Sequence, residues 1–446
     1  MSVSEGEELP GYAPTREPHE HVNSLFNRNL RPWVTLLLLS DAPMGNKFPV
    51  YYDKGTVQGS VQIRLESPQT IRSVVIEVEG ALHLPSTYNI PPLWYEKKTL
   101  WDSSGRFEPQ SIRSSGEWSW DFSFPIPTYF DNTTNGGSPQ TKLPGNFSLK
   151  PYTGFMQYRV LLFVKRGKYL SDLTEYGIVE SIDVANQEPR LHTLFSYVSR
   201  ERAPPPSPLR ELAYYHGGSP PGPETDPDGW KQCDVIRAKG IVFGNREVNL
   251  VYRPFLANPT TYPRGGTIFY RIEVSGSDPQ ALDLLSSPPA VTVLLTREIE
   301  CKLFKGPTPR GKDGRDINVH AIAQETPWTS TTMQGDTRFL EGEITIPPGT
   351  CSSIAVTPVE LNYSVTFVVT AAGFTPHDRS TVISRNPIRV VSHPALGVRP
   401  VSRLPPGYEQ KAMHRQTGAD WALAVIETML GARDSRPMIG TIGSLD

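Results

Sequence analysis

The sequence predicts an all-β chain, two β-sandwich lobes joined by a proline-rich segment and flanked by polar tails. Three observations predict it. Apolar residues recur with a period of two in many short segments, which places each set on one face of a strand. Proline (44) and glycine (36) punctuate 446 residues densely, which favours short strands and turns over long helices. The stretch ERAPPPSPLR…GGSPPGPETDPDG between 201 and 229 then divides the strand-forming sequence into two blocks. Strands with a core face and a wetter face, separated by Gly/Pro/Ser/Asn clusters, suggest sandwiches.

Residues 1–24 are polar and read as a disordered tail. In the first lobe, 25–186, Val57, Val61, Ile63 and Leu65 alternate with polar residues, and Val74, Ile76 and Val78 alternate with Val75, Glu77 and Glu79. Trp118, Trp120, Phe122 and Phe124 alternate strictly with Ser119, Asp121 and Ser123, and Tyr158, Val160, Leu162 and Val164 continue the pattern. Residues 187–231 read as an interlobe linker or insertion of extended polyproline character, unable to enter a sheet interior or a helix. The second lobe, 232–396, carries Ile268, Tyr270, Ile272 and Val274, then Val291, Val293 and Leu295. Ile344 and Ile346 face away from Glu343, and Tyr363, Val365, Phe367 and Val369 form a last clear set. In the tail, 397–446, only Ala419–Leu430 reads as helix, with Trp421, Val425 and Met429 on one stripe.

Composition narrows the function classes. Lys+Arg (44) and Asp+Glu (46) leave a net charge of -2, so no basic surface argues for nucleic acid. Cys233, Cys301 and Cys351 are sparse, odd in number and not at CxxC spacing, which suits neither a disulfide framework nor a zinc site. The first residues lack a signal-peptide pattern, and the apolar run Trp33–Leu39 is too short to span a bilayer. The expectation is a chain of the reducing cytoplasm, with the sequons at Asn132, Asn146 and Asn362 unused.

Several pieces of the first lobe, in order, carry a resemblance. They are Tyr52-x-x-Gly55-x-x-x-Gly59-x-Val61, Ile71–Gly80 (IRSVVIEVEG), Trp120–Pro127 (WDFSFPIP), Leu143–Phe147 (LPGNF) and Gly154–Arg166 (GFMQYRVLLFVKR). Their succession resembles the N-terminal domain of the arrestin family. In the second lobe Gly240–Val251 and Tyr262–Val274 (YPRGGTIFYRIEV) are placed where an arrestin C-terminal domain would start. The resemblance implies two immunoglobulin-like β-sandwich lobes of the arrestin type, and, among the α-arrestin trafficking adaptors, a lobe surface that binds membrane-protein cargo such as the cytosolic tail of a transporter or receptor. The charge cluster that locks the visual and β-type arrestins is not evident, which speaks against a receptor-phosphate trigger. Gly55 and Gly59 suit a turn and a close backbone approach; Pro125 and Pro127 end a strand.

The motif with the sharpest chemistry is Leu404-Pro405-Pro406-Gly407-Tyr408. The two prolines pre-set a polyproline II backbone, which lowers the ordering cost of docking. WW domains take such a segment in an aromatic-lined groove, with the tyrosine in a second pocket. Leu9, Pro10 and Tyr12 form a looser LPxY version in the other tail. A PPxY just after the last strand is where the arrestin-like adaptors carry one, and there it recruits a HECT-type ubiquitin ligase with WW domains. Lys165, Lys168 and Lys411 are possible ubiquitin acceptors. Arg389-x-x-Ser392-x-Pro394 resembles a phosphoserine site for 14-3-3 proteins. Pro204–Pro208 reads as linker rather than as an SH3 ligand.

No catalytic signature accompanies these motifs: GxSxG, P-loop and HExxH patterns are absent. His19 and His21 are explained by a polar tail as readily as by a metal. The expected function is a non-enzymatic adaptor without cofactor, recruited from the cytoplasm to plasma-membrane or endosomal surfaces, that couples cargo to the ligase for ubiquitination and endocytosis. Two alternatives stay open: an arrestin-fold scaffold without ligase recruitment, and a β-sandwich enzyme with a cleft of convergent polar groups.

Overall fold

A computed structural model describes residues 18–27, 29–40, 48–67, 71–84, 90–103, 115–133, 138, 140–149, 154–166, 190–302, 315–334, 336–405 and 420–430. The chain divides into two compact units, Met1–Asp131 with Lys142–Ser199 and Asn132–Thr141 with Arg200–Asp446. The fold is all-β, built from sheets that are antiparallel apart from one parallel strand pair in each unit.

Unit 1 holds strands β1 (His19–Phe26), β2 (Pro32–Ser40), β3 (Val50–Tyr52), β4 (Thr56–Leu65), β5 (Ile71–His83), β6 (Trp94–Asp102), β7 (Gly116–Pro125), β8 (Tyr129–Phe130), β9 (Thr141–Lys142, at the unit boundary), β10 (Phe147–Leu149), β11 (Gly154–Arg166) and β12 (Arg190–Val198). One sheet runs β1-β2-β4-β7, the other β3-β12-β11-β5-β6 with β10 on β11. The alternation read from the sequence decides which residues go inside. Val57, Val61 and Ile63 of β4, Val74, Ile76 and Val78 of β5, and Tyr158 and Val160 of β11 are all sealed from solvent. Val34, Leu36 and Leu38 of β2 complete the inner face of the first sheet. Burying these apolar faces against one another is the main driving force for the sandwich. The Asn23 amide donates to the Thr193 hydroxyl across the two sheets at 3.1 Å.

Two details of unit 1 follow from single residues. Gly59 sits where β4 meets β2 so closely that a Cβ would lie 1.9 Å from the Leu37 carbonyl oxygen, so only glycine fits. The buried Tyr158 hydroxyl donates to the Pro144 carbonyl of the LPGNF loop. In the same loop Asn146 accepts from the Tyr197 N–H at 2.6 Å and donates its own N–H to the Tyr197 carbonyl at 3.1 Å, fixing the loop to β12.

Unit 2 holds α1 (Pro208–Tyr215), β13 (Trp230–Gln232), β14 (Ile236–Val242), β15 (Arg246–Ala257), β16 (Thr261–Pro263), β17 (Thr267–Gly276), α2 (Pro279–Leu285), β18 (Val291–Lys302), β19 (Arg315–Glu325), β20 (Trp328–Gln334), β21 (Thr337–Thr345), β22 (Ile354–Val356), β23 (Val359–Val369), β24 (Phe374–Pro376), β25 (Ile383–Val391) and α3 (Asp420–Met429). Its sheets run β20-β21-β17-β15-β14-β24, with β13 on β15, and β16-β25-β23-β18-β19, with β22 on β23. Tyr270 of β17 meets Phe367 of β23 edge-on across the core, ring centroids 5.6 Å apart.

The two units repeat one topology. In order across the sheets, β1-β2-β4-β7 corresponds to β14-β15-β17-β21, and β3-β12-β11-β5-β6 to β16-β25-β23-β18-β19. The parallel pair β12/β3 has its counterpart in β16/β25. Even the buried tyrosine recurs: Tyr363 of β23 donates to the Cys351 carbonyl at 2.7 Å, as Tyr158 of β11 does to Pro144.

Three sequence expectations differ from what is observed. The segment 187–231 contains strand β12, which pairs with β11, and helix α1, where an extended linker was expected. Pro208 stands at the first helical position, where no N–H is needed, and Ser207 caps the helix by accepting from the Arg210 N–H at 3.3 Å. The polar tail gives way to β1 already at His19, an edge strand paired with β2. Helix α3 buries Ala422 and Ile426, while Met429 of the expected apolar stripe is 61% exposed. Ala422 packs on Leu294 and Val368, and Ile426 on Ile317 and Val319. The helix therefore covers part of the outer face of the β18–β19–β23 sheet, including Val368 near the end of β23.

Candidate functional site

Beyond β25 the chain is held to unit 2 by polar contacts. Ser392 accepts from the Glu201 N–H at 2.8 Å and donates to the Glu201 carbonyl at 3.1 Å. The Arg389 guanidinium pairs with both carboxylate oxygens of Glu201 at 3.0 Å each, a planar fork that matches a carboxylate. The serine and the arginine of the suggested 14-3-3 site are thus both engaged within the unit.

Ten residues further on, Glu343 of β21 fixes the segment that enters the proline motif. This carboxylate is 1% exposed. It accepts from the Ser402 hydroxyl and, at 2.9 Å, from the Arg403 backbone N–H. The Arg403 guanidinium donates to the Ser219 hydroxyl at 2.8 Å. Leu404 and Pro405, the first residues of the motif, are half-buried directly after this anchor. Close to it stands Glu325, the last residue of β19, whose carboxyl is pushed up to about 7 by burial and by the charge of Glu343.

Further along the chain, α3 packs on the β18–β19–β23 sheet of the same unit. Pro406, Gly407, Tyr408 and Lys411 lie in the sequence between Pro405 and α3; they are outside the described residues, and so are Leu9, Pro10, Tyr12 and Lys168. Lys165, at the end of β11, is exposed. His19 and His21 sit on β1, where His21 Nε2 hydrogen-bonds the Ser40 hydroxyl at 3.1 Å.

Sequence reasoning missed Glu343 and Ser402. Glu343 was placed on the wetter face, opposite Ile344 and Ile346, and alternation gave no sign that the tail covers that face. The strand β21, TRFLEGEIT, carries two acids, Glu341 and Glu343, and its pattern does not single out the one that is buried and therefore needs partners. Among the described residues no three His, Cys, Asp or Glu side chains gather as a metal site would require, and no helix is long and apolar enough to cross a membrane. Compared with known proteins, the chain matches no protein-family model and no curated protein.

Proposed function

We propose that this protein is an arrestin-like trafficking adaptor whose tail motif recruits a WW-domain ubiquitin ligase of the HECT type to membrane-protein cargo. The observation that carries the reading is the sequence Leu404-Pro405-Pro406-Gly407-Tyr408, a pre-extended ligand ending in the tyrosine that a WW groove selects. Its setting supports the reading. The segment entering it is fastened at Glu343 and the helix after it is fastened on the β18–β19–β23 sheet, so the ligase would be held near the lobe that carries the motif. The repeated sandwich topology is in keeping with a two-lobed, arrestin-like adaptor. Cargo would dock on a lobe surface, and sheet edges offer main-chain groups for strand addition by an extended cytosolic tail. Lys165 on the exposed end of β11 is one candidate acceptor, and recruitment to plasma-membrane or endosomal surfaces would follow the cargo.

The test is binding of a peptide spanning residues 399–411 to the WW domains of a HECT ligase, beside the same peptide with Tyr408→Ala. Saturable binding that disappears with Tyr408→Ala is the expected result. Equal behaviour of the two peptides, or no binding by either, would remove the ligase link and leave a scaffold without a known catalytic partner.

A further inference from the structure

Apart from the tail, unit 2 contains a cation that its own fold leaves unanswered. Arg210, on the first turn of α1, is 1% exposed. Its guanidinium carbon lies 4.4 Å from the centroid of the Trp230 ring, a stacking that satisfies one face of the plane but none of its N–H groups. Nε, Nη1 and Nη2 all lack an acceptor in hydrogen-bonding geometry, and the side chain that approaches them as an acceptor is the Tyr214 hydroxyl, which brings no negative charge. The acid that acts on it is Asp226, and its oxygens are taken by the Ser207 hydroxyl and, at 3.1 Å, by the Gly229 N–H. Tyr262 turns its hydroxyl to the Ala257 carbonyl. Burial lowers the Arg210 pKa, with Tyr214, Tyr262 and Asp226 pulling it back up; a guanidinium nonetheless keeps its proton inside a protein. Buried charges are normally paired, so a guanidinium that has no ion-pair partner among the described residues at this depth points to a missing anion.

The place for that partner is adjacent. Arg210 lines a cleft of about 230 Å³, together with Tyr214, Phe269 and Val398, a series of prolines, and the two exposed arginines Arg264 and Arg399. Three guanidinium groups around one cleft select negative charge. The planar fork of Arg210 suits two oxygens of one group. The apolar walls suit a carbon skeleton, and the volume lies below the usual range for drug-sized ligands. We propose that this cleft binds a small organic oxyanion, a carboxylate or phosphate monoester carried on a compact apolar group, with Arg210 as its principal ligand and Arg264 and Arg399 completing the field.

The experiment uses the full chain and four probes at matched ionic strength: benzoate, phenyl phosphate, inorganic phosphate and the uncharged benzyl alcohol. Binding is read by isothermal titration calorimetry, with the change in tryptophan fluorescence from Trp230 as a second signal. The expected result is saturable binding of benzoate or phenyl phosphate and none of benzyl alcohol. Whichever of the two binds more tightly identifies the group as carboxylate or phosphate. Arg210→Met, which keeps volume and removes charge, is expected to weaken binding by roughly tenfold or more. Arg210→Lys keeps the charge without the fork and is expected to fall between, which preserves the test should the methionine variant fold poorly. Benzyl alcohol binding as well as the anions, no saturable binding of any anion, or unchanged affinity in the Arg210 variants would overturn the assignment. Inorganic phosphate binding as tightly as phenyl phosphate would overturn the apolar half of it.

Discussion

Glu325 shows how one residue sets a pH dependence. Its carboxyl, half-buried at the end of β19 beside Glu343, holds its proton up to about pH 7, whereas in the unfolded chain it ionises in the ordinary carboxylate range. Between those values the folded state binds more protons than the unfolded one, so the contribution of this residue to stability falls as pH rises. Glu325→Gln freezes the side chain in its neutral form. The substitution is therefore expected to change little at pH 4 and to stabilise unit 2 by about 1–3 kcal/mol at pH 8. Urea unfolding of the two proteins at both pH values checks this, and a gap that stays constant with pH would refute it. Alternation in the sequence could not reveal Glu325, because its raised pKa comes from burial in the folded unit and then from the charge of Glu343 in β21, on the neighbouring sheet.

Among the elements, what was legible was the period-two alternation, and it was legible wherever one face is apolar. Val57–Leu65, Val74–Val78 and Tyr158–Val164 are buried as their spacing says. It failed for β1, whose HEHVNSLF sequence is too polar to alternate in hydropathy and whose existence rests on pairing with β2. It also failed for α1 and α2. Each starts with proline at the first helical position behind a capping residue, Ser207 or Asp278, and a proline-rich composition hides that start signal. The PPxY sequence was fully legible, but its anchorage was not, since Glu343 and Ser402 are 59 residues apart and meet only in the folded unit. A charge at Ser402 tests this anchor. Ser402→Asp places a carboxylate against the buried Glu343 carboxylate, and like charges at that separation repel. The expected outcome is faster amide exchange over residues 401–404, by roughly tenfold or more for the Arg403 N–H that Glu343 holds, with β17 and β23 exchanging as before. Ser402→Ala, which loses one hydrogen bond without adding charge, should lie between. Unchanged exchange in Ser402→Asp would mean that the anchor does not hold in solution.

On the scale of the whole molecule, the two units share a strand order that the sequence does not repeat. Side chains that satisfy a sandwich need only alternate and fill space, so duplicated topology survives without duplicated sequence; the tyrosine hydrogen bonds of Tyr158 and Tyr363 mark equivalent places. Two lobes give a chain with two proline-tyrosine motifs, Leu9-Pro10-Gly11-Tyr12 before the first and Leu404–Tyr408 after the second, and this sets up the last prediction. A ligase with several WW domains that engages one motif finds the second at a raised effective concentration, provided both are reachable at once. Against a single WW domain, Tyr408→Ala in the full chain is expected to abolish binding and Tyr12→Ala to change it little, because LPxY keeps only one of the two prolines. Against a tandem WW protein, Tyr12→Ala is expected to weaken binding by roughly tenfold or more, through faster dissociation. Surface plasmon resonance with single and tandem WW proteins separates the cases. Identical behaviour of wild type and Tyr12→Ala on the tandem protein would assign recruitment to the Leu404–Tyr408 motif alone and reduce Leu9–Tyr12 to an incidental likeness.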